Sequence, residues 1–239
     1  MTLLIGPEPV AGRAPAASAA LRLKLELAAP TLRQAMAAVW QPPGLAERYL
    51  DYLEVMHTVI RASVPLMRTA ARRCAELGPS DPLADQLGDY LTEHIAEELD
   101  HDDWLLADLA LAGRDPAAVL ADQPTVPVAR LVGAQYYWIA HHHPISLIGY
   151  IAVLEGNSPP CWLADRLATR TGLPIDAFRT LHHHAAADLD HTADLDALLD
   201  RLPLTAAHQQ AVAVSALATV AALAEVFDRL TNRPYPIRY

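Results

Sequence analysis

At 239 residues, of which 52% are hydrophobic, the chain is long enough for one substantial core and short for two. Eighteen Lys and Arg against 28 Asp and Glu leave a formal charge of -10, with no basic stripe to track phosphates, which argues against nucleic acid as a partner. Cys74 and Cys161 fit no metal or redox spacing, so no disulfide framework is expected and the thiols read as reduced and cytoplasmic.

Residues 1–20 are rich in Ala and Pro and lack a basic stretch followed by an apolar run, so they read as a flexible leader and not as a signal peptide. Residues 21–239 read as a single helical domain. Ala and Leu dominate, no window alternates apolar with polar residues, and the fold class is therefore all-α. Prolines and turn residues divide the chain into helices over residues 20–39, 45–77, 81–112, 126–156, 159–171, 174–201 and 205–231.

Within 45–77, Glu54 and His57 stand three apart on one face, and Arg61 follows one turn later. Read as one continuous helix, 81–112 places His94 and His101 within about 20° of each other, with Glu97 and Glu98 flanking that line. In 126–156, Pro144 follows three histidines and predicts a kink or break near His143. Tyr137 and His141 precede it, and Glu155 ends the apolar run 147–154, where an unpaired charge is costly to bury. In 174–201, His184, Asp188 and His191 occupy positions i, i+4 and i+7 of one face. The apolar stretch 211–227 is interrupted by Ser215, Thr219 and Glu225 and falls short of the roughly 20 residues of a membrane span. It reads as a buried core helix, and no membrane partner is expected.

Glu98-x-x-His101 and Asp188-x-x-His191 are carboxylate-x-x-His pairs of the kind that di-iron bundles combine with single carboxylates from other helices. Glu155 is the best such carboxylate, and Glu54 and His57 are candidates on the first long helix. Taken singly, each of these residues is compatible with a solvated polar face. Jointly they point to a metal, and carboxylate with imidazole and no thiolate suits iron or manganese better than structural zinc.

The pattern of Glu155, His101 and His184-x-x-x-Asp188-x-x-His191 resembles the haem-oxygenase-like di-iron oxidases and oxygenases, often labelled iron-containing redox enzymes, over about residues 45–230. That resemblance implies a seven-helix haem-oxygenase-like bundle without haem. It also implies two irons alternating between Fe(II) and Fe(III), O2 as cosubstrate, and no catalytic side chain beyond the ligands. Family members commonly supply a Glu three or seven residues before the residue matching His101; Glu98 fills the first place and His94 departs from the second, so both stay candidates. The expected substrate is a small molecule, an amino acid or amino-acid-derived metabolite first and a fatty acid second, undergoing desaturation, N-oxygenation or carbon–carbon cleavage in natural product biosynthesis. Arg61, Tyr137 and His141 are the candidates for holding it, Arg61 by bidentate pairing with a carboxylate.

Two other readings stay open. The adjacent His101-Asp102 pair suits an HD-type metal phosphohydrolase, and the same fold serves cofactorless relatives, so a cofactorless or merely metal-capturing binding protein is the third. A homodimer is the prior for oligomeric state.

Overall fold

The computed structural model describes residues 15–232, with the side chains of Asp188 and Leu189 outside that description. Most of the expected leader, residues 1–14, lies outside the described residues, and the first helix already begins at Ala17. The helices are α1 (Ala17–Val39), α2 (Leu45–Ile60), α3 (Ser63–Leu77), α4 (Ala84–Glu98), α5 (His101–Leu111), α6 (Pro116–Ala121), α7 (Val126–His141), α8 (Ser146–Glu155), α9 (Leu163–Thr171), α10 (Arg179–Arg201) and α11 (Ala206–Thr231). Short 3₁₀ turns occupy Gly78–Ser80 and Ile175–Phe178, and the described residues contain no strand. The fold is all-α, as expected.

Three of the seven expected segments are each split into two helices. Pro144 ends α7 as expected, and the chain resumes at α8. The other two breaks correct the expectation of continuous helices. Between α2 and α3, Pro65 cannot donate to the Arg61 carbonyl and its ring crowds it, so the helix restarts at Ser63. Between α4 and α5, Leu99 is extended and Asp100 takes a left-handed conformation, φ 67°, which Asp tolerates better than most residues. Helix α6 is additional to the expected segments. Its start is local: Asp115 accepts the Ala117 N–H at 2.9 Å, and Pro116 occupies the first turn, where a missing N–H costs nothing.

The main core forms where α11 packs against α1, α7 and α8. By length and composition alone α11 would cross a membrane, but 67% of its most apolar window is buried in the bundle, so it is the core helix expected. A second apolar cluster joins α2, α5, α9 and the 175–178 turn. There Tyr49 stacks on Phe178 at 4.3 Å and donates its hydroxyl to the Ala177 carbonyl at 2.7 Å. The fully buried Asp108 of α5 accepts the Thr180 N–H at 2.9 Å. These contacts anchor the beginning of α10, and that helix carries two of the histidines described next.

Candidate metal centre

Two three-residue groups of metal-ligand chemistry stand side by side in the bundle. In the first, His94 of α4, Glu155 of α8 and His191 of α10 present ligand atoms all within 4.8 Å of one another. In the second, Glu98 at the end of α4, His101 at the start of α5 and His184 of α10 do the same. Helices α4 and α10 each supply one residue to each group: His94 and Glu98 are four apart, and His184 and His191 are seven apart, so successive turns of two facing helices lie against both positions. His191 joins the groups, its Nδ1 lying 3.7 Å from Glu155 Oε1 and 3.9 Å from Glu98 Oε1.

Both alternatives, His94 and Glu98, stand in candidate groups, one in each. The reason differs from the expected register. His94 and His101 do not share a helix face, because α4 ends between them; the turn at Leu99 and Asp100 carries His101 back beside Glu98, with Nδ1 3.0 Å from Glu98 Oε2. Asp188, expected as a further ligand, lies outside the described residues as far as its side chain is concerned.

Five of the expected site residues lie outside the two groups and the cavity beside them. Glu54 belongs to neither group and pairs with Arg114 of the α5–α6 loop, Oε1 to Nε 3.3 Å, within a network that also includes Glu47 and Asp51. His57 is buried on α2 outside both groups, where burial and the nearby Arg61 charge lower its pKa and hold it neutral. Arg61 itself is exposed at the end of α2, and Tyr137 and His141 form an exposed ring pair on α7, so none of the three lines the cavity beside the metal groups. Asp102, the partner of His101 in the phosphohydrolase reading, is in neither group.

Metal fits this donor set. The sites combine two imidazoles with one carboxylate each, the His191 Nδ1 is buried without a hydrogen-bond partner among the described residues, and neither group includes a thiol. Buried charge of this density requires a counter-charge, which an ion would supply. In its absence a proton serves. Both ring nitrogens of His94 face carboxylates, Nδ1 at 3.1 Å from Glu97 and Nε2 at 2.7 Å from Glu155. Burial opposes charge on this ring, but the hydrogen bond and charge of Glu155 outweigh it and raise the His94 pKa to about 9.

That shift sets an expectation for the metal-free chain. A pKa raised from 6.5 to about 9 stabilises the fold fully below pH 6.5, and the contribution is lost as pH rises through about 9. The melting temperature of the metal-free protein should fall across that window, and His94→Gln should flatten the fall. Equal slopes in the two proteins would refute the assignment.

Beside both groups lies an apolar cavity of about 120 Å³, walled by Met36, Met56, Met67, Leu105 and Phe227, with Glu98, His94, Glu155 and His184 on its metal side. Its polar lining includes Ser63, Tyr150, Asn157 and Thr180, and among the described residues no Lys or Arg lines it. None of these wall residues was singled out from the sequence, because an apolar residue facing a cavity has the same periodic signature as one facing the core. Tyr90, which stacks on His94 with ring centroids 5.6 Å apart, was also missed; its signal is the i, i+4 spacing to His94 on α4.

Comparison with known proteins shows the family. The family described as iron-containing redox enzyme matches residues 53–224, a span that holds all six residues of the two groups. The chain belongs to that family. Among solved structures, it is similar to a domain of unknown function with a haem-oxygenase-like fold from Shewanella denitrificans, at 16% identity and TM-score 0.69, covering 90% of this chain and 88% of that one. A TenA homologue from Pseudomonas syringae matches at 13% identity and TM-score 0.71, covering 95% and 97% respectively. A CADD-like protein of unknown function from Nostoc punctiforme matches at 15% identity and TM-score 0.64, covering 89% and 97%. At such identities these likenesses establish the haem-oxygenase-like fold and nothing about the reaction. A search of curated proteins finds no match.

Proposed function

We propose that this iron-containing redox enzyme is a non-haem di-iron oxidase or oxygenase that uses O2 on a small molecule. The observation that carries the reading is the pair of adjacent two-histidine, one-carboxylate groups on the shared helices α4 and α10. His94, Glu155 and His191 would hold one iron, and Glu98, His101 and His184 the other. Asp188, between His184 and His191 in sequence register, is proposed as a further ligand. Bound iron would supply reductive activation of O2. The protein's own part is to orient the imidazoles, as Glu97 does at His94 Nδ1, and to keep water from the reacting substrate with the methionine and leucine walls of the cavity.

The cavity bears on substrate class. Without Arg61 or any other Lys or Arg in its lining among the described residues, it suits an uncharged or apolar body better than a carboxylate held by a guanidinium. An amino-acid-derived metabolite meets this requirement through an aliphatic or aromatic side chain seated among the methionines. Desaturation, N-oxygenation and carbon–carbon cleavage are the candidate outcomes. The two free cysteines, Cys74 and Cys161, support a reducing, cytoplasmic setting.

The test is anaerobic reconstitution with ferrous iron, metal analysis, and then oxygen-electrode measurement with a panel of apolar amino-acid derivatives and fatty acids. Two irons per chain and substrate-dependent O2 uptake, lost in His191→Ala, are expected. One iron or none per chain, with no uptake on any substrate, would sink the reading.

A further inference from the structure

The metal centre has a second approach, unlike the apolar cavity. A groove of about 420 Å³ between α4 and α10 ends on His94 and His191, and its lining sets four carboxylates, Asp89, Glu93, Glu97 and Asp194, against one guanidinium, Arg201. His94 also lines the apolar cavity, so the two spaces meet at the first ligand group from different sides. One is walled by methionine, leucine and phenylalanine; the other is polar, and its four carboxylates are exposed.

Two features at the groove's floor are independent of that acidic rim. Tyr90 is only 9% exposed, lines the groove, and has a buried hydroxyl with no hydrogen-bond partner among the described residues. His191 Nδ1 is likewise buried without one among the described residues. Between rim and floor stands Glu97, whose Oε2 lies 3.1 Å from His94 Nδ1 and 3.6 Å from His191 Nε2 while half of its side chain is exposed. A carboxylate that touches solvent and two buried candidate ligands is placed to receive a hydrated cation and bring it to them.

The geometry points to this groove as the entry route for the divalent cation, separate from the substrate's apolar cavity. Its role rests on the metal-centre reading above. Asp89, Glu93 and Asp194 are outside both ligand groups and act through the field they set up: carboxylates lining a cleft concentrate cations and raise association rates by roughly 10- to 1,000-fold, an effect that salt suppresses. The Tyr90 hydroxyl offers a hydrogen-bond site for water from the ion's shell as it is shed.

Cobalt(II) binding, followed by visible absorption in a stopped-flow instrument, tests the route with a readout that needs no turnover. The probe variant carries Asp89→Asn, Glu93→Gln and Asp194→Asn; a control of equal charge change carries Glu26→Gln, Glu76→Gln and Asp122→Asn, all exposed and away from the groove. At low ionic strength the groove variant should load roughly tenfold more slowly than the wild type, with a weakened salt dependence. Both variants should reach the wild-type cobalt stoichiometry, and the control should load at the wild-type rate. Equal slowing in the two variants would reduce the effect to net charge and overturn the proposal. So would unchanged loading of the groove variant, and so would a lower final stoichiometry, which would make these residues ligands. Failure of the wild type to take up cobalt at all would instead remove the metal centre itself and the route with it.

Discussion

Glu155→Gln should reduce the iron content of the reconstituted chain from two ions to about one and abolish O2 consumption, and Glu98→Gln should do the same to the other ion. Each carboxylate belongs to one group only, while the helices that carry the histidines are shared, so the two losses are separable in a way that unfolding is not. Changing a residue that merely orients a ligand typically costs 10- to 100-fold in affinity. Removing the charged ligand itself should therefore weaken its site by more than about 100-fold. The amide retains the shape of the side chain, and circular dichroism should show the helices intact. Metal analysis after equilibrium dialysis decides the matter. Retention of both ions in either variant, or loss of both in each, would contradict two three-ligand sites.

The separation of the two sites was only partly legible in the sequence. Six of the nine residues singled out as ligands stand in the two groups, because ligand spacing along a helix is a local property: His184 and His191 need only the period of α10, and both α4 residues need only that of α4. The break at Asp100 was invisible for the opposite reason. Nothing in the run Glu97-Glu98-Leu99-Asp100-His101 is a strong helix breaker, and the left-handed residue is held by where α5 must go to pack on α2. Glu54 shows the same limit. Its partner Arg114 is 60 residues away, so no spacing rule could tell a buried ligand from one arm of an ion-pair network. By contrast, Pro65 and the Asp115-Pro116 pair were local signals passed over, since both follow from the missing proline N–H.

Arg61, Tyr137 and His141 lie outside the cavity's lining through geometry that those same breaks create. A straight helix over 45–77 would carry Arg61 on the face of Glu54, and a straight one over 126–156 would bring Tyr137 toward Glu155. With α2 ending at Ile60 and α7 ending at His141, these three residues fall at helix ends or on solvent faces. The proposed substrate class shifts accordingly, from one gripped by a guanidinium toward one enclosed by apolar walls.

Gly149→Val should be the most destabilising single change outside the ligands, and it should harm one metal site more than the other. A Cβ at Gly149 would collide with the Val212 carbonyl oxygen and stand 2.7 Å from the Ala216 nitrogen, so α8 meets the backbone of α11 where only glycine fits. Backbone of the core helix cannot rotate aside as a side chain can, so the cost should reach on the order of 3 kcal/mol, the upper part of the overpacking range. For a chain of this size that corresponds to a fall of roughly 10 °C in melting temperature. Gly88→Ala is the matched contrast. It lies on α4, its Cβ would meet only Cys74 Cβ at an ordinary 3.6 Å, and replacing a helix-interior glycine should stabilise by about 0.5–1 kcal/mol. Because α8 also carries Glu155, displacing it from α11 should weaken metal binding at His94, Glu155 and His191 while Glu98, His101 and His184 keep theirs. Calorimetry of both variants, with metal titration of Gly149→Val below its melting point, checks each part. Equal stability of the two variants would mean that the α8–α11 crossing does not set the position of the centre.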